Sequence, residues 1–257
     1  MKKIISVGLL IIFTLSIIFT FSGCAEDLIK GIEAESEKGI EKLSAPWKNY
    51  EELLYVSTID GTETNNSKII ISVEPIADKK YYKIERNLYI KDGTYISGAL
   101  LNLTDLLPVS SYVEVKAKKD GKSQFTSIKG EYKEQLLINS NLDGKINTSK
   151  IQLPTQYFDN EYLSMAIREF SLKEGFTTEM KICSISANKV ATLTLKVLGK
   201  EKVKVPYGEF ECYKLAFYDL EKSSNDPLIF WISNDEKRNL IKYGQKDKSI
   251  ELKSIKY

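Results

Sequence analysis

Short runs of alternating or β-branched residues, several of them stopped by an Asp-Gly turn, fill the chain from Trp47 onward. "SYVEVKAK" (Ser111 to Lys118) sets Val113, Val115 and Ala117 on one strand face and Glu114, Lys116 and Lys118 on the other. "KDG" follows at Lys119 to Gly121, stands also at Lys91 to Gly93, and "LDG" ends at Gly144. Asp and Gly both tolerate the positive φ that a two-residue hairpin demands, so these dipeptides predict antiparallel hairpins. They also explain their aspartates without any catalytic role. "KIIISVE" (Lys68 to Glu74), "YYKIERNLYI" (Tyr81 to Ile90), "VATLTLKVLG", "PLIFWIS" and "KSIELKSI" supply further strands. About ten or more strands, without strand–helix–strand alternation, predict a mainly β fold. A strongly curved antiparallel sheet or an incomplete β-barrel satisfies that pattern.

One helix interrupts the strands. "DNEYLSMAIREFSLKEG" offers Asp159 or Asn160 as N-cap, then Leu163, Ala166, Ile167 and Phe170 at helical spacing, with Gly175 as a stop. An amphipathic helix packed at the open side of the sheet is the expectation. No repeat of fixed period and no linker divides residues 47–257, so they are read as a single domain.

The N-terminus carries an address. Lys2 and Lys3 precede an apolar run, Ile4 to Phe21, and Ser22, Gly23 and Cys24 follow it. "FSGC" resembles the bacterial lipobox, with Phe21 standing where Leu is commonest. The resemblance implies cleavage before Cys24 and lipid attachment to its sulfur, giving a signal peptide at 1–23 and a lipidated tether at 24–46. The alternative is an uncleaved anchor, since the 18-residue run, broken only by Ser, Thr and Gly, lies near the lower limit for crossing a bilayer. Two or three acyl chains hold a protein stably where one binds only marginally. "AEDLIKGIEAESEKGIEKLSA" (Ala25 to Ala45), broken by Gly31 and Gly39, reads as a solvated spacer.

Charge then excludes one class of partner. The 257 residues hold 37 basic and 35 acidic side chains. Removing Lys2 and Lys3 leaves 35 against 35, so the mature chain is formally neutral and nucleic acid is not an expected partner. Histidine is absent, which removes Ser-His-Asp and Cys-His catalysis and the usual imidazole metal sites. No cofactor or metal is expected. "SNDEKRN" lacks the spaced oxygen ligands of a calcium loop and reads as a turn. Cys183 and Cys212 could pair in an exported protein, or stay as two buried free thiols that pack like small apolar groups.

Three further features are candidate sites. Glu209 and Glu211 share a strand face and could form a carboxylate pair, although same-face acids are ordinarily solvated. In "VPYGEF", Pro206 presets φ, Gly208 allows a left-handed residue and Phe210 can plug a core corner. "GALLNLTDLLPVSSY" (Gly98 to Tyr112) is apolar but alternates poorly. Its Leu100, Leu101, Leu103, Leu106 and Leu107, with Phe230 and Trp231, could cover the core or line an apolar ligand cavity.

"VLGKEKVKVPYGEFECYKLAFYDL" and "FWISNDEKRNLIKYGQKDKSIELKSI" resemble an uncharacterised domain family of bacterial exported proteins and lipoproteins. The matching positions are Val205, Pro206, Gly208, Phe210, Trp231, Ser233 and Asp235, and "EYLSMAIREFSLKEG" fits the family's helix and Arg-containing turn. Coverage is best over Glu161 to Ile255 and compatible back to Tyr50. The resemblance implies an incomplete barrel with a helix near its mouth, similar in general form to LolA/LolB-type carriers of lipidated proteins, and it brings no catalytic residues. The expected function is therefore a non-enzymatic envelope protein, exported and held by lipid on the outer face of the cell membrane. It would bind an apolar or amphipathic ligand or an envelope protein. A carboxylate-dependent hydrolase and a structural adaptor are the alternatives.

Overall fold

The computed structural model describes residues 45–257 except 48, 91, 120–121 and 220–225. The signal, Cys24 and nearly all of the tether lie outside the described residues. So do Lys91, Asp120 and Gly121 of the turns at 91–93 and 119–121.

β1 (Tyr50–Ile59), β2 (Thr62–Ile76), β3 (Lys79–Ile90) and β4 (Gly93–Asn102) begin a meander. It continues through β5 (Pro108–Lys119), β6 (Lys122–Tyr132), β7 (Gln135–Leu142) and β8 (Lys145–Gln152). After β9 (Phe158–Asp159) and the helix α1 (Leu163–Ala166) come β10 (Thr177–Ser184), β11 (Lys189–Val205) and β12 (Gly208–Asp219). β13 (Leu228–Ser233), β14 (Leu240–Gln245) and β15 (Lys248–Lys256) complete the chain. All fifteen strands form one sheet in the order β8 back to β1, then β15 back to β9. Every pairing is antiparallel except the short β9–β10 contact. The mainly β, curved-sheet expectation holds.

Turn chemistry places the hairpins. Asp143 and Gly144 take φ of 50° and 89° between β7 and β8, as Asp-Gly predicts, and Asp60 and Gly61 do the same at 50° and 74° between β1 and β2. The sheet curls until its two ends face each other but does not close by hydrogen bonds. Side chains bridge the gap instead. Ser149 of β8 donates to Asn188 Oδ1 beyond β10 at 2.7 Å. Tyr132, Leu136 and Ile138 pack with Cys183 and Ile185 in a second core cluster. Gly130 makes that approach possible, because a Cβ there would stand 2.5 Å from Ile185 Cγ2.

One expectation is corrected, and one open choice is decided. The long amphipathic helix is a single α turn continued by a 3-10 turn at Ile167–Glu169, and Asp159 belongs to β9 rather than capping a helix. Its would-be solvent face is buried: Asp159, Asn160, Glu161, Ser164, Arg168 and Glu169 are all at most 2% exposed. Partners on β1, β3, β6 and the loop after β13 hold Arg168, Ser164 and Asp159, and this tertiary bonding overrides the helical periodicity. Cys183 and Cys212 are both free thiols, not a disulfide. Their partners on β11, Val190 and Glu201, lie eleven residues apart along one strand. That separation is about 35 Å, far beyond disulfide reach. Burial pushes both thiols up to about 12, with nearby acids adding to the shift. Alkylation of unreduced, denatured protein should therefore label both residues. Recovery of a peptide cross-linked through them would contradict the fold.

Candidate functional site

The buried segment 158–170 enters the curled sheet at one rim, and its partners come from strand ends that share that rim. Arg168 is the hub. Its guanidinium grips Glu51, near the start of β1, through Nη1–Oε2 at 2.7 Å and Nη2–Oε1 at 3.2 Å. Nε donates to the Arg238 carbonyl at 2.8 Å, and Nη2 also reaches the Lys237 carbonyl at 3.0 Å and Asn239 Oδ1 at 3.2 Å. The Trp47 ring lies 5.5 Å from the guanidinium carbon, closing the cluster where the body begins. A buried charge is tolerated only when it is paired and hydrogen-bonded, and Arg168 is both.

The loop that supplies those carbonyls is built by the Trp-x-Ser-x-Asp segment. Asp235 Oδ1 accepts the backbone N–H groups of Lys237 and Arg238 and the Ser233 hydroxyl. Ser233 Oγ in turn accepts the Asn239 N–H at 2.8 Å. Arg238 takes a φ of 44° inside this turn. The sequence marks these residues only as a turn; the structure gives the turn a purpose, which is to aim acceptors at Arg168.

A second group lies deeper. Arg86 of β3 donates through Nη2 to Ser164 at 2.8 Å, while its Nε and Nη1 have no hydrogen-bond partner among the described residues. Tyr132 donates a short hydrogen bond to Asp159 Oδ2, and the Glu161 N–H donates to Asp159 Oδ1 at 2.6 Å. Asn160 Nδ2 donates to Glu161 at 3.2 Å. Burial raises the carboxyl of Asp159 to about 6, opposed by those hydrogen bonds. Burial raises Glu161 to about 7, reinforced by Asp159 and opposed by Asn160 and Arg86. Near-neutral carboxyls beside an arginine have the chemistry of a general acid–base pair, but these are sealed from solvent and open onto no cleft. As they stand, they hold the segment in place.

The residues singled out in the sequence do not converge. Leu101, Leu106 and Phe230 pack in the main core, with the buried segment filling the interior they were expected to open around. Leu100 and Leu107 are half-buried, and Leu103 is exposed. Glu209 and Glu211 are exposed and stand opposite Lys204 and Lys202 across the β11–β12 hairpin, the solvated arrangement. Phe210 stacks on Tyr207 at 5.8 Å at the margin of the core. Trp231 faces outward into a shallow groove of about 320 Å³, shared with Thr58, Ile229, Lys242 and Glu251. Its Nε1–H donates to Glu201 at 2.6 Å, and Lys214 and Lys242 lie 5.6 and 5.7 Å from its ring.

The model of a family described as a protein of unknown function, DUF3108, matches residues 38–249. The chain belongs to the DUF3108 family. Comparison with curated proteins found no relative of this DUF3108 chain. It is similar to the crystal structure of a β-barrel-like DUF1849 protein from Brucella abortus, at 9% identity and a TM-score of 0.48 over 80% of this chain and 97% of that one. It is also similar to a Bacteroides fragilis structure titled as an exported protein with a YmcC-like fold, at 11% identity, TM-score 0.32, and coverage of 84% and 100%. A structure from Parabacteroides distasonis titled as a lipoprotein aligns at 11% identity and TM-score 0.32, covering 84% of this chain and 99% of that one.

Proposed function

We propose that this DUF3108 chain is an exported, lipid-anchored envelope protein whose β body works by binding rather than by chemistry. One observation carries the binding reading. The groups with chemical potential, Asp159, Glu161, Arg168 and Glu51, are all sealed inside, while Trp231 is offered outward in a groove with polar walls. An indole floor beside Lys242 and Glu251 suits an amphipathic ligand or a segment of an envelope partner better than a fully apolar one. The hydrolase alternative loses support, because Glu209 and Glu211 face lysines and the buried acids lack access.

Native mass spectrometry of the body extracted from its envelope tests the binding reading. A retained ligand that Trp231→Ala releases supports it; an empty body, or a ligand held regardless of Trp231, overturns it. The anchor is tested apart. Cys24→Ala should abolish incorporation of labelled fatty acid and free the protein from sedimenting membranes, and unchanged retention would favour an uncleaved helix.

A further inference from the structure

β8 is the outer strand at one end of the sheet, and among the described residues it pairs only with β7. Edge strands ordinarily carry a device against further pairing, such as shortness, a proline, a bulge or charge. β8 runs for eight residues without proline, and its register with β7 holds without a shift. Ile146 on it is 73% exposed. The Asp143-Gly144 turn makes Leu142 and Lys145 a bonded pair, so the odd-numbered residues of β8 bond to β7. The N–H and C=O groups of Ile146, Thr148, Lys150 and Gln152 therefore point away from the sheet. No backbone partner meets them among the described residues. Their side chains are all exposed, on the face opposite Ile151, which packs inward. The other end of the sheet does not line up with this edge. Its β10–β11 turn passes beneath the inner face, where Ile185 approaches Gly130 of β6 and Asn188 meets Ser149.

We propose that β8 is a docking edge for the β8 of a second copy, antiparallel across a two-fold axis at Thr148. Only outward-pointing residues can bond across such an edge, so even-numbered residues must face even-numbered ones. Centring on Thr148 sets it opposite its own equivalent and each Ile146 opposite the other Lys150, with about six new backbone hydrogen bonds. On the inner face each Lys145 falls opposite an Ile151. No lysine faces a lysine, and the lysine stems cover the isoleucines. Centring on Ser149 would instead make the two Lys150 side chains diagonal neighbours, and centring on Lys150 would set them face to face. The lysines are the one blunting device on this edge, and the Thr148 register is the one that keeps them apart. Pairing of like edges also closes at two copies, whereas joining β8 to a different edge would build an open filament. At the far end of the sheet, β9 already pairs Ile182 and Cys183 of β10. The inference goes beyond the binding reading and rests neither on Trp231 nor on a lipid at Cys24.

Residues 24–257 carrying Cys24→Ala, which have no acyl chain, should sediment as a monomer–dimer equilibrium across a dilution series. Thr148→Lys sets like charges opposite each other at the axis. It should weaken association about tenfold or more, with the melting temperature of the dilute protein unchanged. Thr177→Lys, on β10 at the other end of the sheet, should leave association intact. Oxidation reads the register. Thr148→Cys stands about 5.5 Å from its equivalent, Cα to Cα, and should give a covalent dimer. Ile146→Cys, although exposed, lies about 14 Å from its own equivalent and should give about tenfold less. A monomer at every concentration, a dimer untouched by Thr148→Lys, or equal cross-linking through both cysteines would overturn the proposal. So would a different protein on this edge, seen as a co-purifying chain that Thr148→Lys releases.

Discussion

Arg168→Met is expected to cost about 3–5 kcal/mol and to lower the melting temperature by roughly 10 °C or more. The side chain is fully buried, and removing its charge strands Glu51, whose side chain is 2% exposed, without a counterion. It also leaves the carbonyls of Lys237 and Arg238 and the Asn239 amide oxygen without their donor. Against a total stability of about 5–15 kcal/mol, that is a large fraction. Arg168→Lys should recover only part of the loss, because an ammonium cannot reproduce the two-point grip on Glu51 while reaching the loop as well. Thermal or urea unfolding reads both variants. A shift of under 2 °C for Arg168→Met would mean that the cluster does not hold the segment.

Stability should also fall as pH rises from about 5 to 8. In the unfolded chain Asp159 and Glu161 titrate near 4. In the fold burial raises them to about 6 and about 7. Between those limits the folded state keeps protons that the unfolded state has released. Their stabilising contribution is therefore complete below about pH 4 and is lost as pH climbs through 6 to 7. The expected drop in melting temperature between pH 5 and 8 is about 5–10 °C. Glu85 moves the other way: desolvation there is outweighed by hydrogen bonds from Tyr112, Lys83 and Asn87, so its pKa is lowered. Its effect falls at more acid pH and leaves this window clear. Glu161→Gln stays neutral at every pH and keeps a carbonyl acceptor for Asn160. It should raise stability at pH 8 by about 2 kcal/mol and flatten the profile. A profile as steep as the parent's would place the titrating group elsewhere.

The β architecture was legible because its signals are local. Alternation in "SYVEVKAK" and the Asp143-Gly144 turn depend on near neighbours, and both survive in the fold. The central cluster was not legible, for the opposite reason. Arg168 and Glu51 lie 117 residues apart, and nothing around either one announces the other. A segment with apolar residues at helical spacing and charges between them reads as a surface helix, since charged groups are rarely buried unpaired. Here the charges face inward because β1, β3, β6 and the 234–239 loop each bring a partner. The Trp-x-Ser-x-Asp segment and the Arg-containing turn of "EYLSMAIREFSLKEG" were the available hints. Ser233 and Asp235 look like a plain turn in the sequence, and only the fold connects that turn to Arg168. The pairing of the two cysteines stayed open for a related reason: their strand settings were visible, but not that they sit opposite distant points of β11.

The account rests on Arg168 and Glu51 acting as one buried unit that locks the inner segment to the first strand. A double-mutant cycle in urea, with Glu51→Gln, Arg168→Met and both together, tests that most directly. The account predicts that the double variant is more stable than the sum of the single losses allows, with a coupling of about 2 kcal/mol or more. Additive losses, with coupling below about 0.5 kcal/mol, would contradict it.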